Sequence, residues 1–260
     1  MSIIMSMLNK IKLHPSCYFF LLAAILTGNF FTVTFCSLLL LVHECGHFFT
    51  AMLLKWPTDK IEFYPFGGIA KLEAAINRPL KEELLVLCMG PIAQILCFEV
   101  LQNFNFSASH WQIISAMHHQ ILAFNLLPIL PLDGGRILQC LLCYFVSYYH
   151  SFLIMYAISF GLLFIFCILF LKFATLSLLL VMVVLVFRLQ NEYKKTNYYL
   201  EKFLLERYLY QPTFKKKKIV RSPLQFKRDY QHLLHINHHY LLEKEYLYQK
   251  YHFGEIKLKS

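Results

Sequence analysis

Long apolar blocks separated by short polar interruptions fill most of the chain from residue 15 to residue 187. Blocks of this kind predict membrane-crossing helices, which we place near 15–26, 30–54, 84–101, 113–127, 152–171 and 174–187. Residues 61–72 instead alternate loosely between apolar and polar around Gly67 and Gly68, a pattern typical of a β-hairpin. The sequence therefore predicts an all-α polytopic membrane protein with about six transmembrane helices, a small re-entrant β-hairpin and a short cytoplasmic tail.

Composition and charge support this interpretation. The chain is 58% hydrophobic, its mean hydropathy is +0.50, and its formal net charge is +10. The basic residues cluster in the 55–81 linker and after residue 187, whereas the connections near 28–29 and 105–110 carry no Lys or Arg. By the positive-inside rule, both termini and the linker are expected in the cytoplasm. The distribution of the positive charge along the chain therefore predicts a multi-pass topology in a lipid bilayer. It does not predict a nucleic-acid partner.

The second predicted span contains His43-Glu44-Cys45-Gly46-His47. Residues four apart on a helix share a face, so His43 and His47 can bind a single Zn²⁺ while Glu44 acts as a general base on the attacking water. Ionisable groups are costly inside a span, and those found there are candidates for function. The motif predicts a zinc site within the membrane.

A third zinc ligand is required, because catalytic zinc sites ordinarily have three protein ligands and an open position. The chain has three aspartates, and only Asp133 lies next to a predicted span, within a segment broken by Pro128, Pro131, Gly134 and Gly135. We predict Asp133 as the third ligand. The alternative is that Asp133 is the N-cap of a helix that starts at Gly134.

These motifs resemble the site-2 protease family of intramembrane zinc metalloproteases, whose members carry His-Glu-x-x-His on one span and an Asn-x-x-Pro to Asp-Gly motif on a later one. The similarity is greatest to the branch that processes pro-sigma-K in endospore-forming bacteria, and it covers most of residues 10–210. The stretches that carry it are 43–47, 65–68, 77–83, 90–91, 125–136 and 203–208.

The resemblance implies a zinc metalloendopeptidase with one Zn²⁺ per chain, held by His43, His47 and Asp133, and Glu44 as the catalytic acid/base. It implies a membrane-associated, pro-sigma-K-like substrate during sporulation. It also implies membrane inhibitor proteins and a location in the mother-cell membrane around the forespore. An oligomer is compatible with all of these expectations.

Four further residues are candidates for substrate binding. The 61–72 hairpin could hold an unwound substrate by strand addition, which singles out Phe66 and Gly67. Asn125 and Pro131 flank the predicted break after the fourth span. Asn125 could hydrogen-bond the substrate backbone or the oxyanion; alternatively, it satisfies carbonyls that the break leaves free.

The chain is expected to divide into a membrane protease domain at 1–190 and a basic cytoplasmic tail at 191–260. The tail is predicted to begin with a helix, followed by a reduced or incomplete segment similar to a cystathionine-beta-synthase (CBS) domain, which this branch carries after its last span. Its histidines 232, 235, 238 and 239 fit one face of a surface helix better than a metal site, because the sequence offers no acidic or cysteine partner nearby.

Two alternative functions remain at the level of sequence. One is a zinc-binding membrane scaffold or regulator without proteolytic turnover, although zinc binding alone does not require Glu44. The other is a different membrane zinc protease that cuts soluble tails, with a buried Glu99 as the third ligand.

Overall fold

The computed structural model describes residues 11–13, 28–56, 58–64, 67–72, 76–173, 176–236 and 239–252. The predicted first span at 15–26 lies outside these residues. The chain forms two compact units. The first comprises Met1–Ala75 with Leu84–Leu126, and the second comprises Ile76–Glu83 with Leu127–Ser260.

The described residues of the first unit form three helices and a small sheet. Its elements are β1 (Ile11–Leu13), α1 (Phe30–Leu53), β2 (Thr58–Tyr64), β3 (Gly67–Leu72), α2 (Leu80–Leu101, which enters this unit at Leu84) and α3 (Ala108–Asn125). Apolar side chains of all three helices form one core, in which Leu39, Phe98, Leu101 and Ile114 are buried. This core fixes α1 against α2 and α3.

The predicted hairpin is confirmed in its backbone. β2 and β3 are antiparallel, with Tyr64 paired to Gly67 and Ile61 paired to Ala70. The sequence did not predict β1, which runs parallel to β2 and makes the order β1-β2-β3. β3 is therefore an edge strand within the described part of the chain, and it packs against α1.

The second unit is also mainly helical. Its helices are the first turn of α2, α4 (Asp133–Phe145), α5 (Tyr148–Phe173), α6 (Leu176–Lys194), α7 (Thr196–Tyr210) and, near the end of the chain, α8 (Glu243–His252). The predicted boundary between the membrane domain and the tail, near residue 190, falls inside α6. A short break at Lys195 separates α6 from α7.

The tail contains a second sheet that the sequence did not predict. β4 (Lys216–Val220) runs parallel to β5 (Tyr230–Ile236), which pairs antiparallel with β6 (His239–Leu242). The expectation of a surface histidine helix is wrong, because His232 lies in β5 and is 2% exposed. An acidic partner does exist, since His232 Nδ1 lies 2.9 Å from Glu243 Oε2 on α8.

Arg207 ties this sheet to α7. Its guanidinium donates to Glu243 Oε1 at 2.7 Å, to the carbonyl of Tyr230 at 2.9 Å and to Asn77 Oδ1 at 2.9 Å. His232 in turn accepts a hydrogen bond from the backbone N–H of Lys227 at its Nε2, 2.9 Å away. The tail is thus a folded body built around a buried charged cluster.

Three of the described helices are long and apolar enough to cross a membrane: Phe30–Leu53, Leu80–Leu101 and Tyr148–Ile168. Large apolar side chains on these helices remain exposed, including Leu96, Val100 and Phe164. Such surfaces suit contact with lipid. The protein is therefore a mostly helical membrane protein, and six spans remain a prediction.

Candidate metal centre

The first unit brings the two predicted histidine ligands together on α1. His43 and His47 are 1% and 7% exposed, and their Nε2 atoms lie 3.2 Å apart. This arrangement follows from the sequence, because residues four apart project from the same helix face. The remaining ring nitrogen of each histidine faces a different partner on α2, and these partners determine which nitrogen carries the proton.

The partner of His47 is a backbone carbonyl. Its Nδ1 lies 2.8 Å from the carbonyl oxygen of Val86, which can only accept a hydrogen bond. Nδ1 of His47 must therefore carry a proton, and in the neutral ring the lone pair is on Nε2.

The partner of His43 is the side chain of Gln94. The Gln94 Nε2 donates to the carbonyl of His118 at 3.1 Å, and this contact fixes the orientation of the amide. Gln94 Oε1 then lies 3.0 Å from Nδ1 of His43 and accepts its proton. In the neutral ring, the lone pair of His43 is consequently on Nε2 as well.

The two lone pairs face each other at 3.2 Å, and a cation that binds both removes their mutual repulsion. Ligand nitrogens in a tetrahedral zinc site, about 2.0–2.1 Å from the metal, lie about 3.3 Å apart. Imidazole nitrogens are also among the ligands that Zn²⁺ prefers. Both the spacing of the pair and its chemistry therefore fit a zinc ion.

Two glycines make this packing possible. A Cβ atom on Gly90 of α2 would overlap the imidazole ring of His47. A Cβ atom on Gly46 of α1 would overlap the backbone carbonyl of Met89 and lie 2.8 Å from the Cβ of Ala93. Both glycines allow α1 and α2 to approach closely enough for the hydrogen bonds to form.

Glu44 follows His43 on α1 and is half-buried, as is Cys45. The predicted general base thus lies one residue from a predicted ligand, with its side chain partly accessible. Glu99, the third ligand in the alternative zinc protease hypothesis, does not suit a buried metal site. Glu99 is exposed, and its carboxylate accepts a hydrogen bond from Gln102 Nε2 at 3.1 Å.

Asp133 belongs to the second unit, where it is the first residue of α4 and is half-buried. The N-cap of α4 is Leu132, so the alternative assignment of Asp133 as an N-cap is wrong. The preceding bend is closely packed. The N–H of Leu130 donates to Ser159 Oγ at 3.1 Å, and a Cβ atom on Gly135 would lie 2.6 Å from the carbonyl oxygen of Ile129.

The residues predicted to bind substrate have different placements. Gly67 begins β3, and Phe66 lies outside the described residues. Pro131 lies half-buried in the bend of the second unit. Asn125 is the last residue of α3 in the first unit and is half-buried.

Sequence reasoning missed the partners of the histidines. Val86 acts through its backbone, which leaves no trace in the sequence. Gln94 does leave a signal, because a neutral amide in the apolar 84–101 run must find hydrogen-bond partners once it is buried. Without the fold, the identity of that partner could not be assigned.

Several known proteins resemble this chain. The family model Peptidase family M50 matches residues 30–104. Stage IV sporulation protein FB of Bacillus subtilis (strain 168) is 32% identical over 210 residues, 78% of this chain and 73% of that protein. A zinc metalloprotease of Methanocaldococcus jannaschii is 31% identical over 146 residues, 51% of this chain and 42% of that protein. The solved structure of the site-2 protease from Methanocaldococcus jannaschii has a TM-score of 0.53 and 26% identity, covering 70% of this chain and 89% of that chain.

Proposed function

Because the chain belongs to the site-2 protease family of intramembrane zinc metalloproteases, we propose that it cleaves a membrane-associated protein with one Zn²⁺ held by His43, His47 and Asp133. The observation that carries this proposal is the histidine pair, whose two Nε2 lone pairs face each other at 3.2 Å. His43 and His47 belong to the first unit and Asp133 to the second, and imidazole nitrogens and carboxylate oxygens are both ligands that Zn²⁺ binds. Two imidazoles and one carboxylate also leave an open position in a tetrahedral zinc site.

Glu44 acts as the general acid and base in this proposal. When bound, zinc would supply Lewis-acid chemistry and would lower the pKa of its bound water to about 7. Glu44 then takes a proton from the attacking water and returns it to the leaving amine when the peptide bond breaks. The half-buried position of Glu44, directly after a ligand on α1, supports this role.

The edge strand β3 is the proposed binding site for the substrate. A peptide bond inside a helix is poorly accessible to attack, so the scissile segment must become extended. β3 pairs only with β2 in the described sheet and packs against α1, the helix that carries the histidines. Strand addition at this edge would satisfy the substrate backbone. We include Phe66, Gly67 and Pro131 in the substrate site.

Asn125 is the proposed donor to the substrate backbone or the oxyanion. Asn125 is half-buried at the end of α3, and satisfying carbonyls that the break leaves free remains the alternative role. An amide held at the end of a helix can donate a hydrogen bond to a developing negative charge.

A pro-sigma factor, pro-sigma-K, is the substrate that we propose. The similarity to a stage IV sporulation protein over 78% of the chain supports a role in sporulation. By the same reasoning we propose a six-span topology with cytoplasmic ends, the mother-cell membrane around the forespore as its location, and regulation by membrane inhibitor proteins. We further propose residues 1–190 as the protease domain and 191–260 as a tail with a reduced CBS-like segment.

Co-expression tests the substrate assignment. Tagged pro-sigma-K is produced with the wild-type chain or with Glu44→Gln, and its processing is followed by a shift in electrophoretic mobility. We expect a shorter product with the wild type only. If neither chain processes pro-sigma-K while the wild type still cleaves another membrane substrate, the sporulation assignment is wrong and the protease assignment stands.

A further inference from the structure

The side chain of Gln94 hydrogen-bonds a ring nitrogen of His43 from another helix. It is 0% exposed and lies on α2, whereas His43 lies on α1. Its neighbours along α2 are apolar, so burial of its amide is unfavourable unless both ends are paired. Both ends are paired, and the two partners come from different helices.

The amide has a defined orientation because its two ends have different partners. Nε2 donates to the carbonyl of His118 on α3 at 3.1 Å, which places Oε1 toward His43 Nδ1 at 3.0 Å. The ring of His118 is held in turn by stacking on Phe98, with ring centroids 4.0 Å apart. A chain of contacts therefore runs from α3 through Gln94 to the histidine on α1.

We infer that Gln94 is a positioning residue that holds His43 in the Nδ1–H tautomer and aims its Nε2 at the metal. The inference rests on the proposed zinc site. Metal-bound histidines usually donate their other N–H to a carboxylate or a carbonyl, which fixes the ring and increases its basicity. Here a neutral amide fulfils that role, and it adds no further charge inside the membrane.

His47 provides an internal comparison. Its Nδ1 donates to the backbone carbonyl of Val86 at 2.8 Å, which no substitution of a side chain removes directly. The two acceptors are eight residues apart on α2, about 12 Å at 1.5 Å per residue, and they serve ligands one turn apart on α1. Gln94 is thus the acceptor that mutation can test.

Zinc affinity of the purified full-length protein tests this role without relying on activity. Metal-free wild type, Gln94→Met and Gln94→Glu are titrated with zinc in detergent against a chromophoric chelator. Met has a similar length but offers no acceptor, so we expect affinity to fall about 10- to 100-fold. Glu retains an oxygen for His43 Nδ1–H, so Gln94→Glu should remain within a few-fold of wild type.

Gln139→Met is the matched control. Gln139 is also a buried glutamine, 6% exposed, and its Nε2 has no hydrogen-bond partner among the described residues. Its replacement should leave zinc affinity unchanged. Unchanged affinity in Gln94→Met overturns the inference, as does an equal loss in Gln94→Met and Gln94→Glu, which would indicate a purely structural role. If the wild type binds no zinc, the proposed function itself fails.

A measurement on the wild type keeps the inference testable if Gln94→Met does not fold. The ¹⁵N chemical shifts of the His43 ring in the metal-free protein report which nitrogen is protonated. We expect protonation at Nδ1, as the acceptor at Gln94 requires. Protonation at Nε2 alone would overturn the inference.

Discussion

Gly90 lies so close to His47 that a Cβ atom at this position would overlap the imidazole ring. Nδ1 of the same ring donates to the carbonyl of Val86, one turn earlier on the same helix. The His47 ring therefore contacts the backbone of α2 at two positions, the carbonyl of Val86 and Gly90. The glycine at position 90 is required by the close approach of the His47 ring, a proposed metal ligand, and not by backbone conformation.

Gly90→Ala should weaken zinc binding. The added methyl group must displace the His47 ring or separate α1 from α2, and disturbing the orientation of a ligand typically costs about 10- to 100-fold in metal affinity. The measurement is zinc affinity of the purified protein by chelator competition. Gly161→Ala is the matched control, because a Cβ atom on Gly161 meets no described atom within 4 Å. Equal affinities in the two variants would contradict the packing argument.

Asp133→Ala should release zinc, and Glu99→Ala should retain it. Asp133→Ala removes one of three proposed protein ligands and its direct bond to the metal. Glu99 is exposed, and its carboxylate is hydrogen-bonded by the side chain of Gln102. Metal content per chain after purification and dialysis distinguishes the two variants. Zinc loss in Glu99→Ala alone would refute the proposed ligand set.

Acidification should destabilise the tail. Burial lowers the pKa of His232 because it penalises the charged ring, and this effect outweighs the hydrogen bond and the charge of Glu243, which favour the charged ring. The unfolded chain takes up this proton near its ordinary pKa of about 6.5, so stability is lost as pH falls below that value.

Glu243 adds to the loss at lower pH. Burial opposes its ionisation, but the hydrogen bond from His232 and the charge of Arg207 outweigh this effect and lower the pKa of Glu243. Its contribution is present above the unfolded pKa of about 4.3 and is lost as pH falls through the folded value. Hydrogen exchange of the β5 amides, corrected for intrinsic rates, should therefore accelerate from about pH 6.5 downward. Constant protection between pH 7.5 and 5 would contradict this account.

The sequence predicts the parts of the site that depend on local geometry. His43 and His47 share a helix face because they are four residues apart, and Gly67 lies in a hairpin because the pattern around it alternates. The roles of Val86 and Gln94 depend on which helices pack together, and local periodicity carries no such information. The alternative that Asp133 is an N-cap was wrong by one residue, because α4 begins at Asp133 and not at Gly134.

The tail was predicted less well for a related reason. The spacing of His232 and His235 resembles a helical face, yet these residues lie on β5. That strand is stabilised by pairing with β4 and β6 and by the ion pair between Arg207 and Glu243. Such partners are distant in the sequence, and the energy of pairing with them overrides local propensity.

Cleavage of a membrane substrate by purified protein, with zinc content measured on the same samples, tests the central claim most directly. The wild type should cleave, lose activity when zinc is removed and regain it with about one zinc per chain. Glu44→Gln should bind the same amount of zinc and cleave about 10²- to 10⁴-fold more slowly, because only the general base is lost. Normal cleavage by Glu44→Gln, or wild-type cleavage that persists without zinc, would contradict the account.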